Sequence, residues 1–447
     1  MFYYDGKPIK RVGFLGVGKS NLGIYSYLLR RFPDISYTVR GKSSADSKRI
    51  PAQRYFFGDE AFSELDEDIL FLSPSARRDA PELISAKERG VILSSDCELF
   101  FKCSQSEIFA VTGSDGKSTT AYITSELLKR SGYSSLPFGN FGEAMTPHLD
   151  DGADILYVAE LSSFQLMYET PKTRAAAITN ITENHLNWHK GFDEYISAKR
   201  NVLENTKRRI FNFDCEISRK IMRDFQPYAV YSRFLSQAEL EKKVEAELYL
   251  TLSDGIVCVS GEKLLDTQDV LIPGEHNISN YMCAIALCCD KLDRKALAPF
   301  AREFGGLAHR REFVGRFEGV DYYNSSIDSS PQRCISTLKT FDKNVILIVG
   351  GRTKGLDFSP ILPYLKEKTK LVIATGESAF LLEELCFSHE VNTKRIDDFE
   401  AAVLYAKKTA QAGDTVLLSP AATSYDCFKN FEERGRFFKE LIKPKGK

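Results

Sequence analysis

Two glycines, a lysine and three hydroxyls fall together in the run Gly113, Ser114, Asp115, Gly116, Lys117, Ser118, Thr119. The apolar residues Ile108 to Thr112 before it read as a buried strand, and a helical pattern follows. In that context glycines let backbone N–H groups converge on phosphate oxygens, assisted by the positive end of the helix. Lys117 can neutralise β- and γ-phosphates, and the Ser118 hydroxyl can ligate Mg²⁺. The loop is two residues shorter than the common GxxxxGK[ST] spacing. A glycine turn that binds nothing is the plain alternative, but it leaves the coincidence of strand, lysine and hydroxyls unexplained.

Such a loop must be carried by a parallel sheet, and the chain alternates accordingly. Val12 to Leu15, Ile69 to Leu72 and Val91 to Leu93 read as strands, with helices at Leu22 to Leu29 and around Pro81 to Arg89. A second series contains Ile108 to Thr112, Ile155 to Leu161 and Ala175 to Ile178. It continues to a predicted hairpin about Ser253, Asp254 and Gly255 and a helix from about Ile278 to Leu292. A third contains Val345 to Val349, Leu371 to Ala374 and Val416 to Ser419. This βαβ alternation predicts α/β domains with helices on both sheet faces. The boundaries fall near 96 and 305, giving domains 1–96, 97–305 and 306–447. The first domain carries Gly16, Gly18, Lys19, Ser20, Asn21 and Gly23, only a partial dinucleotide fingerprint because Asn21 takes the place of the third glycine.

The 447 residues exceed one ordinary core. Net charge is −1 with acids and bases mixed, which argues for neither nucleic acid nor a membrane surface. No apolar run approaches the roughly 18 residues of a membrane span, and residues 1–10 lack the apolar centre of a signal peptide. Ten scattered cysteines without a CxxC read as reduced thiols. The expectation is a soluble cytoplasmic protein.

The short phosphate loop resembles that of the Mur ligases and folylpolyglutamate synthases. Three further stretches extend the match: Glu160 to Gln165, Asn180 to His185 followed by Ala198 and Lys199, and Ser419 through Asp426 to Arg434 and Gly435. The last is similar to the C-terminal signature of the D-glutamate-adding Mur ligase. The resemblance implies three domains: a Rossmann-like N-terminal domain for a UDP-sugar, a P-loop-type central ATPase domain, and a Rossmann-like C-terminal domain for the amino acid. It implies a monomeric ligase that joins D-glutamate to UDP-N-acetylmuramoyl-L-alanine in peptidoglycan precursor synthesis. ATP activates the carboxylate as an acyl phosphate, with ADP and phosphate released.

Roles follow position by position from the same resemblance. Ser118 and Glu160 hold one Mg²⁺, His185 a second, and Lys199 is a carbamylated lysine that supports them. Asn277 and Asn280 contact adenine, although helix capping is an equally simple use of Asn277. Arg310 reaches the ATP phosphates. Lys354, Ser424 and Phe431 hold the incoming amino acid. Lys19, Ser20, Arg40, Asn140, Ser162 and Ser329 complete the substrate contacts, with Lys117, His185, Lys199 and Lys354 the catalytic set. Two departures stand out. Ser325 occupies the position of the family's ribose-binding aspartate, with Asp328 the candidate substitute, and Asn184 precedes His185 where the family has aspartate. A different ligase of the superfamily, or a non-catalytic nucleotide-binding relative, are the competing readings.

Overall fold

The computed structural model describes residues 1–42, 44, 49–140, 142–186, 188–353 and 355–443. The chain divides into two compact units, Met1–Val270 with Gly274–Phe300, and Leu271–Pro273 with Ala301–Lys447.

The first unit contains a two-stranded hairpin (Phe2–Tyr4, Lys7–Ile9) and two large sheets. The smaller is five-stranded and all parallel, in the spatial order Arg54–Phe57, Ser36–Gly41, Arg11–Leu15, Ile69–Leu72, Ile92–Ser94. Its strand order reverses between Arg11–Leu15 and Ile69–Leu72, the crevice where doubly wound sheets bind ligands. The larger sheet has nine strands, with Ile108–Thr112 flanked by Leu156–Glu160 and Thr173–Ile178. Its central strands are buried on both faces: IFAVT at Ile108–Thr112 and LYVAE at Leu156–Glu160 are buried at every position, as parallel sheets covered by helices require. The far edge closes with antiparallel Leu248–Ser253, Ile256–Val259 and Glu262–Asp266.

The Asp96–Cys103 helix joins the two sheets. Ser95 caps it by accepting from the Glu98 N–H, and Phe100 packs edge-on to Phe138 at 4.9 Å and to Tyr157 at 5.4 Å. Asp96, 3% exposed, accepts from the Met145 and Thr146 N–H groups at 3.0 and 2.9 Å, and from the Thr146 hydroxyl. Burial pushes its carboxyl upward against those bonds.

The second unit has six strands. Antiparallel Glu312–Phe317 and Val320–Asn324 lead into parallel Thr415–Leu418, Val345–Gly350, Thr369–Thr375 and Thr393–Arg395. Its Phe431–Ile442 helix is capped by Asn430 and buries Arg434. Arg434 donates to Ser326 Oγ and to the carbonyls of Ser326 and Ala422 at 3.0, 2.9 and 3.2 Å. Burial brings this guanidinium down to about 10. Among the described residues no helix is long and apolar enough to cross a membrane.

Candidate active site

The phosphate loop connects the buried strand Ile108–Thr112 to the helix Lys117–Arg130. Gly116 is the N-cap at φ 79°, and Gly113 has φ 149°. A Cβ at Gly113 would collide with Thr179 Oγ1, and one at Gly116 with Asn280 Oδ1. Both glycines are therefore fixed by a second layer of polar residues. Asp115 N–H donates to Asn180 Oδ1 at 2.9 Å, and Thr179 Oγ1 donates to the Asp115 carbonyl at 2.6 Å. Lys117 Nζ folds onto the Ser114 carbonyl at 2.7 Å, and Ser118 is buried in the first turn. Gly116→Ala combines left-handed strain of about 1–2 kcal/mol with the Asn280 collision. It should weaken ATP binding by at least about tenfold, measured by calorimetric titration against the wild type.

Glu160 ends its strand 1% exposed. Asn140 Nδ2 donates to Glu160 Oε1 at 2.7 Å, while Oε2 is buried without a hydrogen-bond partner. An orphaned carboxylate oxygen is costly unless a cation answers it. Lys19 and Lys199 both feel its charge. Lys19 Nζ reaches from the five-stranded sheet to the carbonyls of Gly139 and Gly142 at 3.0 and 2.6 Å. Lys19 thus sits against the glycine turn whose Asn140 holds Glu160, within reach of that carboxylate's charge. Burial lowers the Lys19 ammonium, opposed by Asp96, Glu160 and Glu143.

Lys199, 2% exposed, donates to the Gly113 carbonyl at 2.7 Å and lies 4.7 Å over the Tyr195 ring. Burial pulls its ammonium well below the ordinary lysine range, and Lys117 repels it further. Tyr195 shares a 2.9 Å hydrogen bond with Ser114 Oγ. The Phe192–Arg200 helix therefore contacts the phosphate loop through residues four apart, and that i, i+4 spacing from Lys199 is the sequence signal for Tyr195. His185 is exposed at φ 55°, its ring centroid 4.9 Å from Phe164. Partial desolvation of its ring against Phe164, then repulsion by Lys199 and Lys117, lower its imidazolium pKa, which favours a neutral, ligating ring. His189 is an internal histidine, hydrogen-bonded to Ser163 Oγ at 2.9 Å and near Glu194 Oε2 at 3.3 Å.

Other candidates are placed as follows. Asn280 accepts from Thr120 Oγ1 at 3.3 Å and donates to Asn277 Oδ1 at 2.9 Å, so its amide braces the loop. Asn277 lies inside the Glu275–Cys288 helix, whose N-cap is Gly274, so the capping alternative does not apply to it. Ser162 forms a capping box with Gln165. Ser20 borders a cavity at the five-stranded sheet's reversal point, with Ser73, Arg78 and Phe164.

Arg40 is the clear correction. Its side chain is fully buried, paired with Glu67 at 2.7 Å, and donates to the carbonyls of Ala61, Ser63 and Glu64. With its donors directed inward, Arg40 is a pin of the domain interior rather than a uridine contact. Asp328 also points inward, accepting from Thr337 Oγ1 and Ser419 Oγ at 2.7 Å each, with burial raising its carboxyl. It does not stand in for the aspartate missing at the buried Ser325. Within the second unit Arg310 is exposed, Ser424 is buried, Ser329 is partly buried, and Phe431 begins the last helix. Lys354 lies outside the described residues.

Beside the cavity, burial pushes the Glu169 carboxyl up to about 7, with Glu98 adding repulsion. The folded chain holds this proton more tightly than the unfolded one, so stability falls as pH rises from 4.5 towards about 7. Between about pH 5 and about pH 8 the wild type should lose roughly 3 kcal/mol relative to Glu169→Gln. Paired denaturation curves at the two pH values check this, and parallel losses in both proteins would refute it.

A lysine-bearing loop at the end of a parallel sheet, with a buried carboxylate beside it whose Oε2 has no hydrogen-bond partner, defines a P-loop-type α/β fold. Residues 111–288 match the Mur ligase middle domain, and residues 309–422 the Mur ligase glutamate ligase domain. The UDP-N-acetylmuramoylalanine–D-glutamate ligase of Acetivibrio thermocellus is 37% identical over 97% of this chain and 96% of its own length. Its namesakes in Ruminiclostridium cellulolyticum and Clostridium novyi are 36% and 34% identical, each over 97% of this chain and 96% of theirs. Among solved structures, the UDP-N-acetylmuramate–alanine ligase of Thermotoga maritima superposes with a TM-score of 0.54 at 18% identity, covering 96% of this chain and 98% of that one. A pseudomurein peptide ligase type C from Methanothermus fervidus gives 0.51 at 17%, over 97% of this chain and 100% of that one. The two superpositions place the fold. The chain belongs to the Mur ligase family and is an amide ligase.

Proposed function

We propose that this protein joins D-glutamate to UDP-N-acetylmuramoyl-L-alanine in peptidoglycan precursor synthesis, consuming ATP and releasing ADP and phosphate. What carries this reading is near-full-length similarity to D-glutamate ligases in a chain whose Lys117, Glu160 and Lys199 surround one phosphate loop. Residues 1–96 hold the UDP-sugar, 97–305 the nucleotide and 306–447 the amino acid.

The reaction asks for anions to be brought together. A substrate carboxylate oxygen attacks the γ-phosphorus, and ADP leaves with the bonding pair of the broken P–O bond. The amine of D-glutamate then attacks the acyl carbon, loses a proton, and phosphate departs. The loop N–H groups and Lys117 orient and neutralise the ATP phosphates. Lys19 and Asn140, beside Glu160, orient the sugar diphosphate in this reading.

The donor set fits magnesium, with Ser118 and Glu160 as the residues that would hold one ion and His185 a second. The unpartnered Glu160 Oε2 is the observation behind that fit. Bound with ATP, Mg²⁺ supplies charge neutralisation on the phosphates. Among the described residues no three acidic, histidine or cysteine side chains gather into a cage. That suits an ion taking much of its shell from phosphate and water. Lys199 is suited to carbamylation, because a buried amine held well below its ordinary pKa is neutral often enough to attack CO₂.

The test is product mass spectrometry with ATP, Mg²⁺, UDP-N-acetylmuramoyl-L-alanine and a panel of amino acids, with Lys117→Ala as control. A product heavier by one glutamate residue, with D-glutamate only and absent from the control, is the expected result. No product from folded, ATP-binding protein would overturn the reading.

A further inference from the structure

The segment after the strand Ile69–Leu72 has two sides. Ser73, Pro74, Ala76 and Arg78 border the cavity at the reversal point of the five-stranded sheet. Arg77 and the Ser75 carbonyl instead engage the segment that carries His185. Arg77 pairs with Glu194 through both terminal nitrogens at 3.0 Å, and its Nη1 also donates to the Trp188 carbonyl at 2.8 Å. Its Nε and Nη2 meet Asp79 at 2.9 Å each, and its guanidinium lies 4.8 Å over the Trp188 ring. Trp188 Nε1 returns a hydrogen bond to the Ser75 carbonyl at 2.8 Å.

These contacts converge on metal-side residues. The His185 carbonyl accepts from the Trp188 and His189 N–H groups at 3.0 and 3.1 Å, closing a turn around a left-handed histidine. A non-glycine residue in that conformation persists where its surroundings fix it. Phe164 borders the cavity and also packs edge-on to Trp188 at 4.7 Å and against His185. Glu194 belongs to the helix that presents Tyr195 and Lys199 to the phosphate loop. The Arg77 and Glu194 side chains are 21% and 19% exposed, so their forked pair is partly desolvated and stronger than a surface ion pair.

We propose that Arg77, with Trp188, is a positioning staple that fixes His185 and the Lys199 helix relative to the cavity, so that a ligand bound against Ser73–Arg78 steadies the metal side of the site. Calling that ligand the UDP-sugar substrate rests on the function proposed above. The staple itself rests on the contacts just described. Lysine cannot replace the arginine fully, because an ammonium lacks the planar fork that serves Glu194, Asp79 and the Trp188 carbonyl together.

Trp188 is the sole tryptophan in the sequence, so indole emission reads this staple alone. The experiment compares wild type, Arg77→Met and Arg77→Lys by emission spectrum, by quenching with Mn²⁺–ADP, and by steady-state kinetics. In wild type, UDP-N-acetylmuramoyl-L-alanine should change the Trp188 emission, and Mn²⁺–ADP should quench it. In Arg77→Met the emission should shift red, the ligand-induced change should vanish although calorimetry still detects binding, and quenching should weaken at least threefold. The kcat should fall about 10²-fold with the KM for ATP within about threefold of wild type, and Arg77→Lys should recover part of both signals. Should Arg77→Met fail to fold, Arg77→Lys decides the matter through the same readouts. A kcat within twofold of wild type, with emission and quenching responses intact, overturns the staple. A wild type that makes no product yet shows the Mn²⁺–ADP quenching difference between variants overturns the substrate assignment and leaves the staple standing.

Discussion

Glu160→Gln should lower kcat by about 10³-fold or more without unfolding the protein. The substitution keeps the length of the side chain and an oxygen for Asn140 Nδ2, which now sits 2.7 Å from Oε1. What disappears is the charge on Oε2, buried and without a hydrogen-bond partner. In the ligand-free protein that charge is a burden, since an incompletely solvated carboxylate costs more to bury than an amide. The attraction of Lys19 and Lys199 offsets part of the burden. The thermal midpoint of the ligand-free variant should therefore hold or rise, while its Mg²⁺ requirement climbs and turnover collapses. Thermal unfolding and Mg²⁺-dependent rates on one preparation check both halves. A kcat within tenfold of wild type would mean that Glu160 is a structural acid and that the metal-side reading is wrong.

The parts of this site that were legible in the sequence are the local ones. The phosphate loop needs a strand, two glycines and a helix start, all within about a dozen consecutive residues. The strand Ile69–Leu72 was readable because four apolar residues in a row admit few alternatives in an α/β alternation. The hairpin was readable because Asp254 and Gly255, at φ 49° and 76°, are residue types that tolerate a turn with two positive φ angles. The strand Thr206–Asn212 is hidden in the sequence because it opens on Thr, Lys, Arg and Arg, and its apolar signal is confined to Ile210 and Phe211 near its end. Arg40 was misread for a different reason. An arginine at the end of a strand presents the same sequence signal whether it faces a ligand or the interior. The deciding residue, Glu67, is 27 positions away, brought close only by the sheet. Asp328 posed the same problem, since its partner Ser419 lies 91 positions downstream. The Arg77–Trp188 contact was invisible too, because two loops on different sheets leave no periodicity to read.

The inward-facing Arg40 makes a prediction that separates structure from binding. Glu67→Ala should destabilise the protein by about 3–5 kcal/mol, the usual result of stripping one partner from a buried ion pair. The guanidinium would keep its bonds to the carbonyls of Ala61, Ser63 and Glu64 at 3.1, 2.6 and 2.8 Å. It would also keep the Phe56 ring 4.4 Å away, but it would lose the Glu67 counter-charge at 2.7 Å. Arg54, 3.8 Å from the same carboxylate, would lose a weaker partner. Arg40→Met should cost a comparable amount, because it leaves the Glu67 carboxyl at 2% exposure without this partner and strips a donor from three carbonyls, of which that of Glu64 keeps Arg54 at 3.4 Å. The double variant should cost clearly less than the sum of the singles, since neither charge then remains to be buried alone. Urea unfolding of all four proteins, followed by circular dichroism, gives the cycle. If Arg40 were a substrate contact instead, Arg40→Met would leave stability within about 1 kcal/mol of wild type and raise the KM for the UDP-sugar. Additive, small losses in the cycle would likewise show that the pair does not hold the domain together.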